Sequence, residues 1–277
     1  MALTDYNDYK ARVESQQNAY WFINAASAAA GVWMQTWRTP ASSGVAPGTY
    51  EQCGSSLAGN LWQIDANNLN RDKKFFLAEL SAELTATGAG FALLVDRLMH
   101  TSSLTLTVAS SQNTNLPGAA LPRSTDGVGV QAALVCWASG ANTSAVTGTI
   151  QYTTPTGSTN TSPAFVISTG MVVDRIIPIP LAPGDNGLKS VEWFQVSASN
   201  TMAAGNYGIV LYRPLGIIPL TGQFQPEQMY PRYRNMLVGG GGALSSMMSS
   251  GCPDIFVYGI GGTAPTMLGF MNWIEAS

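Results

Sequence analysis

Lys74-Phe-Phe-Leu-Ala-Glu-Leu-Ser-Ala-Glu-Leu84 carries the clearest β-strand pattern in this chain. Apolar side chains stand at every second position from Phe76 to Leu84. Glu79 and Glu83 occupy the alternate positions, together with a serine. Because successive side chains of a strand point to opposite faces of its sheet, this alternation predicts a strand with one buried face.

Further apolar segments of strand length follow at short intervals. We predict strands at residues 91–98, 104–108, 128–137, 146–153, 164–173, 176–181, 191–198 and 209–218. Turn-forming sequences such as Asp126-Gly127 and Pro183-Gly-Asp-Asn-Gly187 separate them. The alternating strand and helix patterns of a parallel α/β sheet are absent. The predicted fold class is therefore all-β, a jelly-roll-like β-sandwich.

The N-terminal region differs from this pattern and predicts a helical, aromatic arm. Thr4 or Asp5 is a suitable cap for a helix through residues 7–20. Tyrosines and a valine recur there at roughly helical spacing, and four large aromatic residues follow: Trp21, Phe22, Trp33 and Trp37. Such an arm either packs on its own domain or docks on a neighbouring subunit. Residues 38–59 are rich in Pro, Gly and Ser and predict a loop.

The C-terminal region forms either closing strands or a second extended arm. Residues 223–234 are aromatic and marked by proline, and residues 239–242 are four consecutive glycines that predict a hinge. Residues 255–260 and 267–274 predict closing strands. The predicted domains are an N-terminal helix and arm over 1–70, a β-sandwich over 71–220 and a C-terminal extension or closing strands over 221–277.

Charge is scarce along this chain and favours an assembly subunit. Only 10% of the residues are charged, whereas 45% are hydrophobic; soluble domains commonly carry about 25% charged residues. Within residues 101–170 the only charged groups are Arg123 and Asp126. A neutral surface is suited to burial against other subunits, because few ions must be desolvated.

The same composition argues against several other classes of protein. A net charge of -3 provides no basic surface for nucleic acid as a main partner. Residues 1–10 lack the basic and apolar segments of a signal peptide, and the apolar runs fall short of the ~20 residues that span a bilayer. The three cysteines, at positions 53, 136 and 252, are widely separated, which predicts reduced thiols in place of a disulfide framework or a zinc site.

His100 is the chain's only histidine and the first candidate for chemistry. Strand alternation places Asp96 on the same face as His100, with Ser102 and Ser103 nearby in sequence. No Gly-x-Ser-x-Gly elbow surrounds either serine, so a structural hydrogen-bonded cluster is the favoured interpretation over a catalytic triad.

The remaining candidate sites also favour structural interpretations. Glu79 and Glu83 are about 13 Å apart along a strand, farther than the carboxylates of a glycosidase. Asp185, with Asp174 nearby in sequence, lacks the spacing of an EF-hand and predicts a turn. The Arg232-Tyr-Arg234 patch is too small to indicate nucleic acid binding. The sequence therefore predicts no catalytic residue, no cofactor and no metal site.

Two stretches resemble known proteins. Leu77-Ala-Glu-Leu-Ser-Ala-Glu-Leu-Thr-Ala-Thr-Gly-Ala-Gly-Phe-Ala-Leu-Leu-Val-Asp-Arg-Leu-Met-His100 is followed by Ser124-Thr-Asp-Gly-Val-Gly-Val-Gln-Ala-Ala-Leu134. Together they resemble virion structural proteins of tailed bacteriophages that accompany the capsid protein. The resemblance implies a minor capsid or decoration protein, a jelly roll bound on the shell, and it carries no catalytic residues.

The function expected from these observations is that of a non-enzymatic capsid decoration or cement subunit, located in the virion after synthesis in the bacterial cytoplasm. Its expected partners are the major capsid protein and copies of itself, with a trimer suggested by analogy; neither nucleic acid nor membrane is expected. Large aromatic residues are expected to form the contacts: Tyr6, Tyr9, Trp21, Phe22, Trp33, Trp37, Phe224, Tyr230 and Tyr233.

Three alternatives remain open. The chain could be a collar, tail or fibre-attachment protein of the virion, which its copy number would distinguish from a decoration protein. It could be a carbohydrate-binding jelly-roll module, which glycan binding by the isolated protein would indicate. A β-fold hydrolase is the least favoured, since it requires a turnover that depends on His100 or on a cluster of acids.

Overall fold

The computed structural model describes the backbone of residues 17–24, 31–35, 50–53, 74–84, 89–140, 144–198, 205–221, 252–259 and 266–276. These residues form fifteen strands and one short 3-10 turn, Leu116–Gly118. The strands are β1 Gln17–Asn24, β2 Trp33–Gln35, β3 Tyr50–Gln52, β4 Lys74–Leu84, β5 Ala89–Thr101, β6 Gln112–Asn113, β7 Gln131–Ala138, β8 Val146–Thr153, β9 Thr159–Thr161, β10 Phe165–Ile167, β11 Arg175–Ile179, β12 Ser190–Val196, β13 Asn206–Thr221, β14 Pro253–Gly259 and β15 Thr266–Ala276. The described ranges contain no α-helix, so the all-β fold class is confirmed.

The chain divides into two compact units, each built from separate stretches of sequence. The first unit comprises Met1–Trp37, Gly54–Asp96 and Leu215–Ser277. One of its sheets has the strand order β1-β15-β4, with both pairings antiparallel. In a second group of strands, β14 pairs antiparallel with both β2 and β5. The first unit therefore joins the two ends of the chain through backbone hydrogen bonds.

The second unit, Arg38–Cys53 and Arg97–Pro214, is a β-sandwich. In one layer β7 pairs with β11 and β13, and in the other the strand order is β10-β8-β12-β6, with β9 also paired to β8. Buried and half-buried residues alternate strictly along β8, which shows that one face of that layer packs against the core. The two layers share one apolar core, in which Leu134 and Ile209 of the first layer join Ile150 and Phe194 of the second.

The predicted N-terminal helix is wrong where the structure describes it. Residues 17–20 belong to β1, which pairs along its whole length with β15, from Gln17 opposite Trp273 to Asn24 opposite Thr266. The cap and the spacing that favoured a helix are local signals, whereas β1 is stabilised by a partner strand from the other end of the chain. The expected closing strands at the C-terminus are confirmed as β14 and β15.

Most predicted strands are confirmed, but one is reduced to a bridge, and some short strands were not predicted. The predicted strand at residues 104–108 is reduced to an isolated bridge between Leu104 and Tyr207. The predicted loop at residues 38–59 contains β3, and the polar segment 110–126 contains β6. These short edge strands depend on a neighbouring strand for their hydrogen bonds, which no local periodicity reveals. Nowhere in the described ranges is there a helix with the length and apolar character needed to cross a membrane.

Candidate functional site

His100 lies at the centre of a buried polar cluster in the second unit. Its side chain is fully buried, and its Nδ1 lies 3.2 Å from Arg97 Nε and 3.3 Å from Cys53 Sγ. Its Nε2 lies 2.9 Å from Glu51 Oε2. Strand pairing creates this arrangement, because β3 runs antiparallel to β5 and places Glu51 opposite His100.

Two arginines and an indole ring complete the cluster. The guanidinium carbon of Arg97 lies 5.3 Å from the centre of the Trp137 ring, and the His100 ring lies at the same centroid distance, 5.3 Å, from that indole. Arg123 reaches in from a loop and donates hydrogen bonds to the carbonyl oxygens of Cys53, at 2.8 Å, and Arg97, at 2.9 Å. These charge-assisted bonds join Cys53, directly after β3, to Arg97 in β5.

The donors of the cluster determine where the His100 proton lies. Arg97 Nε can only donate, so Nδ1 of the neutral ring accepts and the ring proton is on Nε2, facing Glu51. Burial and the positive charge of Arg97 lower the pKa of His100, but the electrostatic interaction with Cys53 and the hydrogen bonds with Cys53 and Glu51 outweigh them, so the net pKa is raised above 6.5. Cys53 and His100 are both buried, so neither presents a nucleophile to solvent. Their contact joins the segment directly after β3 to β5.

The raised pKa of His100 predicts a pH-dependent stability. A group whose pKa is higher in the folded state stabilises the fold below its unfolded pKa and loses that contribution as the pH rises through its folded pKa. We therefore expect the free energy of unfolding to decrease above pH 6.5, with a slope of at most about 1.4 kcal/mol per pH unit. Urea unfolding between about pH 5.5 and about pH 8.5 measures this slope.

A single NMR signal provides the control for this prediction, since the chain has one histidine. The titration midpoint of its Cε1 proton is expected above 6.5 in the unmodified protein. Cys53→Ala removes the residue whose charge and hydrogen bond do most to raise the pKa of His100. The lowering of the pKa by burial then dominates, so the titration midpoint should fall. A midpoint below 6.5 in the unmodified protein would contradict the assignment.

The serine and aspartate considered alongside His100 have other contacts. Asp96 belongs to the first unit, where its Oδ1 accepts a hydrogen bond from Cys252 N at 2.9 Å. The hydroxyl oxygens of Ser102 and Ser103 lie 3.4 Å from each other. A hydrogen-bonded cluster does form around His100, but from residues that the sequence pattern did not indicate. The presence of Arg97 within an apolar strand was the one available signal, because a buried charge requires partners.

The other candidate polar residues belong to turns and strands. Asp185 accepts hydrogen bonds from Tyr152 Oη and, at 2.8 Å, from Asn160 Nδ2; these two bonds lower its pKa. Glu79 and Glu83 lie in β4, opposite residues 272 and 268 of β15. The glycine run 239–242 and the Arg232-Tyr-Arg234 patch lie outside the described residues. Within the described part of the chain, no three His, Cys, Asp or Glu residues are grouped so that they could hold a metal ion.

The three cysteines are all buried. Cys53 belongs to the His100 cluster, and the backbone N–H of Cys252 binds Asp96. Cys136 lies in β7, where burial raises the pKa of its thiol to about 12. None of the three forms a disulfide, as the sequence predicted.

The aromatic residues predicted to form an assembly interface are only partly described. Trp33 is half-buried in β2, and its ring centroid lies 5.1 Å from that of Tyr258 on β14. Trp21 and Phe22 lie in β1, whose backbone pairs with β15. The others lie outside the described residues: Tyr6, Tyr9, Trp37, Phe224, Tyr230 and Tyr233. The interface assignment therefore stays a prediction.

An uncharged, exposed sheet edge is a surface feature that the sequence pattern did not locate. Between Asp126 and Asp174 the chain has no Asp, Glu, Lys or Arg, and this span contains β7, β8, β9 and β10. β10 is the edge strand of its layer, with β8 on its inner side. Its middle residue, Val166, is 63% exposed, while Phe165 and Ile167 are buried. The edge thus presents an apolar side chain within a span of sequence that carries no charged residue.

Comparisons with known proteins give a distant structural likeness. No family model and no curated protein sequence matches this chain. Among solved structures, the chain is similar to the VP2 subviral particle of infectious bursal disease virus, at 10% sequence identity and a TM-score of 0.21. The match covers 94% of this chain and 80% of that chain. At this TM-score the likeness does not transfer details of fold or function.

Proposed function

We propose that this chain is a non-enzymatic virion structural protein, a decoration or cement subunit on the shell of a tailed phage. The observation that carries the proposal is the uncharged edge of the sandwich at β10. Exposed edge strands are usually kept short or protected by charged side chains, prolines or bulges, because their N–H and C=O groups can pair with other chains. β10 has an exposed valine in place of a charge, which suits an edge that a partner covers.

The chemistry of the surrounding strands supports burial against other subunits. Since no charged side chain occurs from β7 to β10, a partner can cover this edge without desolvating an ion. Each contact can be weak in a shell, because neighbouring contacts raise the effective concentration of the next. The subunit would then act mechanically, by bridging adjacent shell proteins.

A lysine at the exposed edge tests the proposal. We expect Val166→Lys to weaken association with particles, or between copies of the chain, by about tenfold or more. The long side chain projects into solvent at a 63% exposed position, so the fold itself should be retained. Cosedimentation with purified particles and analytical ultracentrifugation measure association, and circular dichroism verifies the fold.

Val166→Ile is the matched control, because it keeps a β-branched apolar side chain and should associate like the unmodified protein. If the unmodified chain remains a monomer with no affinity for any shell, the proposal is wrong. Equal association of the lysine and isoleucine variants would show that β10 is not the contact. A copy number near that of the major capsid protein favours decoration, whereas a copy number equal to the subunits of a single ring favours a collar or tail position.

A further inference from the structure

The opposite edge of the same sheet holds an open groove of about 670 Å³. It belongs to the second unit and lies where β6 pairs with β12, with Asn113 opposite Trp193. Its walls combine aromatic rings with small polar side chains, contributed by Tyr50, Ser111, Asn113, Asn115, Pro117, Gly118, Glu192 and Trp193. Concave sites with this mixture are typical of small-molecule recognition.

A β-bulge in β12 brings two consecutive side chains to the groove. Val191 pairs with Tyr152 and Trp193 pairs with Gln151, so Glu192 is an extra residue without its own partner in the register. The alternation of burial along β12 breaks at this point, because Glu192 and Trp193 are both half-buried. Bulges commonly redirect side chains beside functional sites. Without this bulge, consecutive residues would face opposite sides of the sheet.

The polar groups of the groove are held in fixed positions. Glu192 Oε1 accepts hydrogen bonds from Thr153 Oγ1, at 2.6 Å, and Ser190 Oγ, at 2.8 Å. Asn113 Oδ1 accepts from the backbone N–H of Asn115 at 2.8 Å, which directs the amide nitrogen of Asn113 away from that bond. The carboxylate of Glu192 and the amide of Asn113 are therefore both held in place at the wall of the groove.

The aromatic rings form the apolar part of the groove. The ring of Tyr50 packs directly over Gly118, where a Cβ would stand only 2.8 Å from Cε1. Pairing of Tyr50 with Thr101 of β5 fixes the backbone that carries this ring. Trp193 contributes the second ring from β12. Rigid aromatic faces bury C–H surface at little entropic cost, and their polar tips still form hydrogen bonds.

We propose that this groove binds a neutral saccharide. A pyranose ring has C–H faces that stack on Trp193 and Tyr50 and has hydroxyl groups that bind Asn113 and Glu192. The fixed carboxylate disfavours anionic sugars by like-charge repulsion. Saccharide binding is a second function, beyond the shell role, because β6 and β10 are opposite edges of one sheet.

Binding by the full-length chain tests this proposal. The probes are neutral tetrasaccharides of glucose, N-acetylglucosamine, mannose and galactose, with a tetrasaccharide of galacturonic acid as the anionic comparison. We expect at least one neutral probe to bind in calorimetry or NMR titration, and Trp193→Ala to weaken that binding by about thirtyfold. Asn113→Ala should weaken it by about fivefold through loss of one hydrogen bond.

Two further variants separate this site from a general effect on the fold. Val166→Ala lies at the opposite edge of the sheet and should bind the neutral probe like the unmodified chain. Glu192→Gln should bind the galacturonic acid probe at least about tenfold more tightly than the unmodified chain, because the repulsion is removed.

Several outcomes would overturn the proposal. One is that no neutral probe binds at about 5 mM. Another is that Trp193→Ala, with its fold intact, binds as well as the unmodified chain. A third is that a synthetic peptide of residues 223–234 shifts the NMR signals of the groove residues while no saccharide does. That result would assign the groove to a protein contact. None of these outcomes bears on particle association, so the two proposals fail independently.

Discussion

Arg97→Ala is expected to lower the free energy of unfolding by about 4 kcal/mol. Arg97 is fully buried, its Nε lies 3.2 Å from His100 Nδ1, and its guanidinium lies over the Trp137 ring. Alanine removes the donor and the cation, and it leaves a cavity among polar atoms that no longer have their partner. Urea unfolding of the full-length chain, followed by circular dichroism, measures the loss.

Arg123→Ala is the matched control for this variant. Arg123 is only half-buried and donates to the carbonyl oxygens of Cys53 and Arg97, so its loss should cost less, about 2 kcal/mol. Arg97→Lys keeps the positive charge but lacks the planar group that lies over the indole, and we expect an intermediate loss. If Arg97→Ala is no less stable than Arg123→Ala, the buried cluster does not hold the unit together.

Gly208→Ala is expected to destabilise the chain by about 3 kcal/mol. Gly208 lies in β13, and a Cβ there would overlap the carbonyl oxygen of Thr101 and stand 2.5 Å from Trp137 Nε1. These two atoms form a buried hydrogen bond of 3.0 Å. Because the main obstacle is backbone, the strand must shift or the hydrogen bond must break. The midpoint of urea unfolding measures the effect.

Gly148→Ala provides a comparison at a second crowded strand position. A Cβ there would stand 2.7 Å from Cζ of Phe165, so the main obstacle is a side chain and not backbone. We expect a loss of about 1 kcal/mol in this case. Equal losses for Gly148→Ala and Gly208→Ala would mean that the Thr101 carbonyl is not a fixed obstacle.

Strand positions were the most predictable part of the fold. The predicted strands at 74–84 and 146–153 coincide with β4 and β8. Both have a clear two-residue periodicity, which encodes the sheet face locally. The predicted strand at 164–173 shortens to β10, because the segment that follows turns away from the sheet at Gly170, where φ is positive. Periodicity therefore identified the strands better than it identified their ends.

The candidate sites could not be predicted in the same way. His100 was recognised as the only histidine, but Glu51 and Cys53 lie in a segment that looked like a loop. The groove beside β6 depends on a bulge at Glu192 and on an edge pairing of β6, and neither has a sequence period. Bulges and edge pairings depend on which strands pair with each other, and the sequence alone does not indicate the partner strands.

The sequence alone is enough to predict the all-β class, the strand segments and the neutral character of the residues from β7 to β10. These properties follow from local alternation and composition, which act within a few residues. Three other features depend on the tertiary structure: residues 17–20 are strand, Val166 is exposed at an edge and Glu51 faces His100. Each of these depends on hydrogen bonds between segments far apart in the chain, whose energies outweigh local propensity.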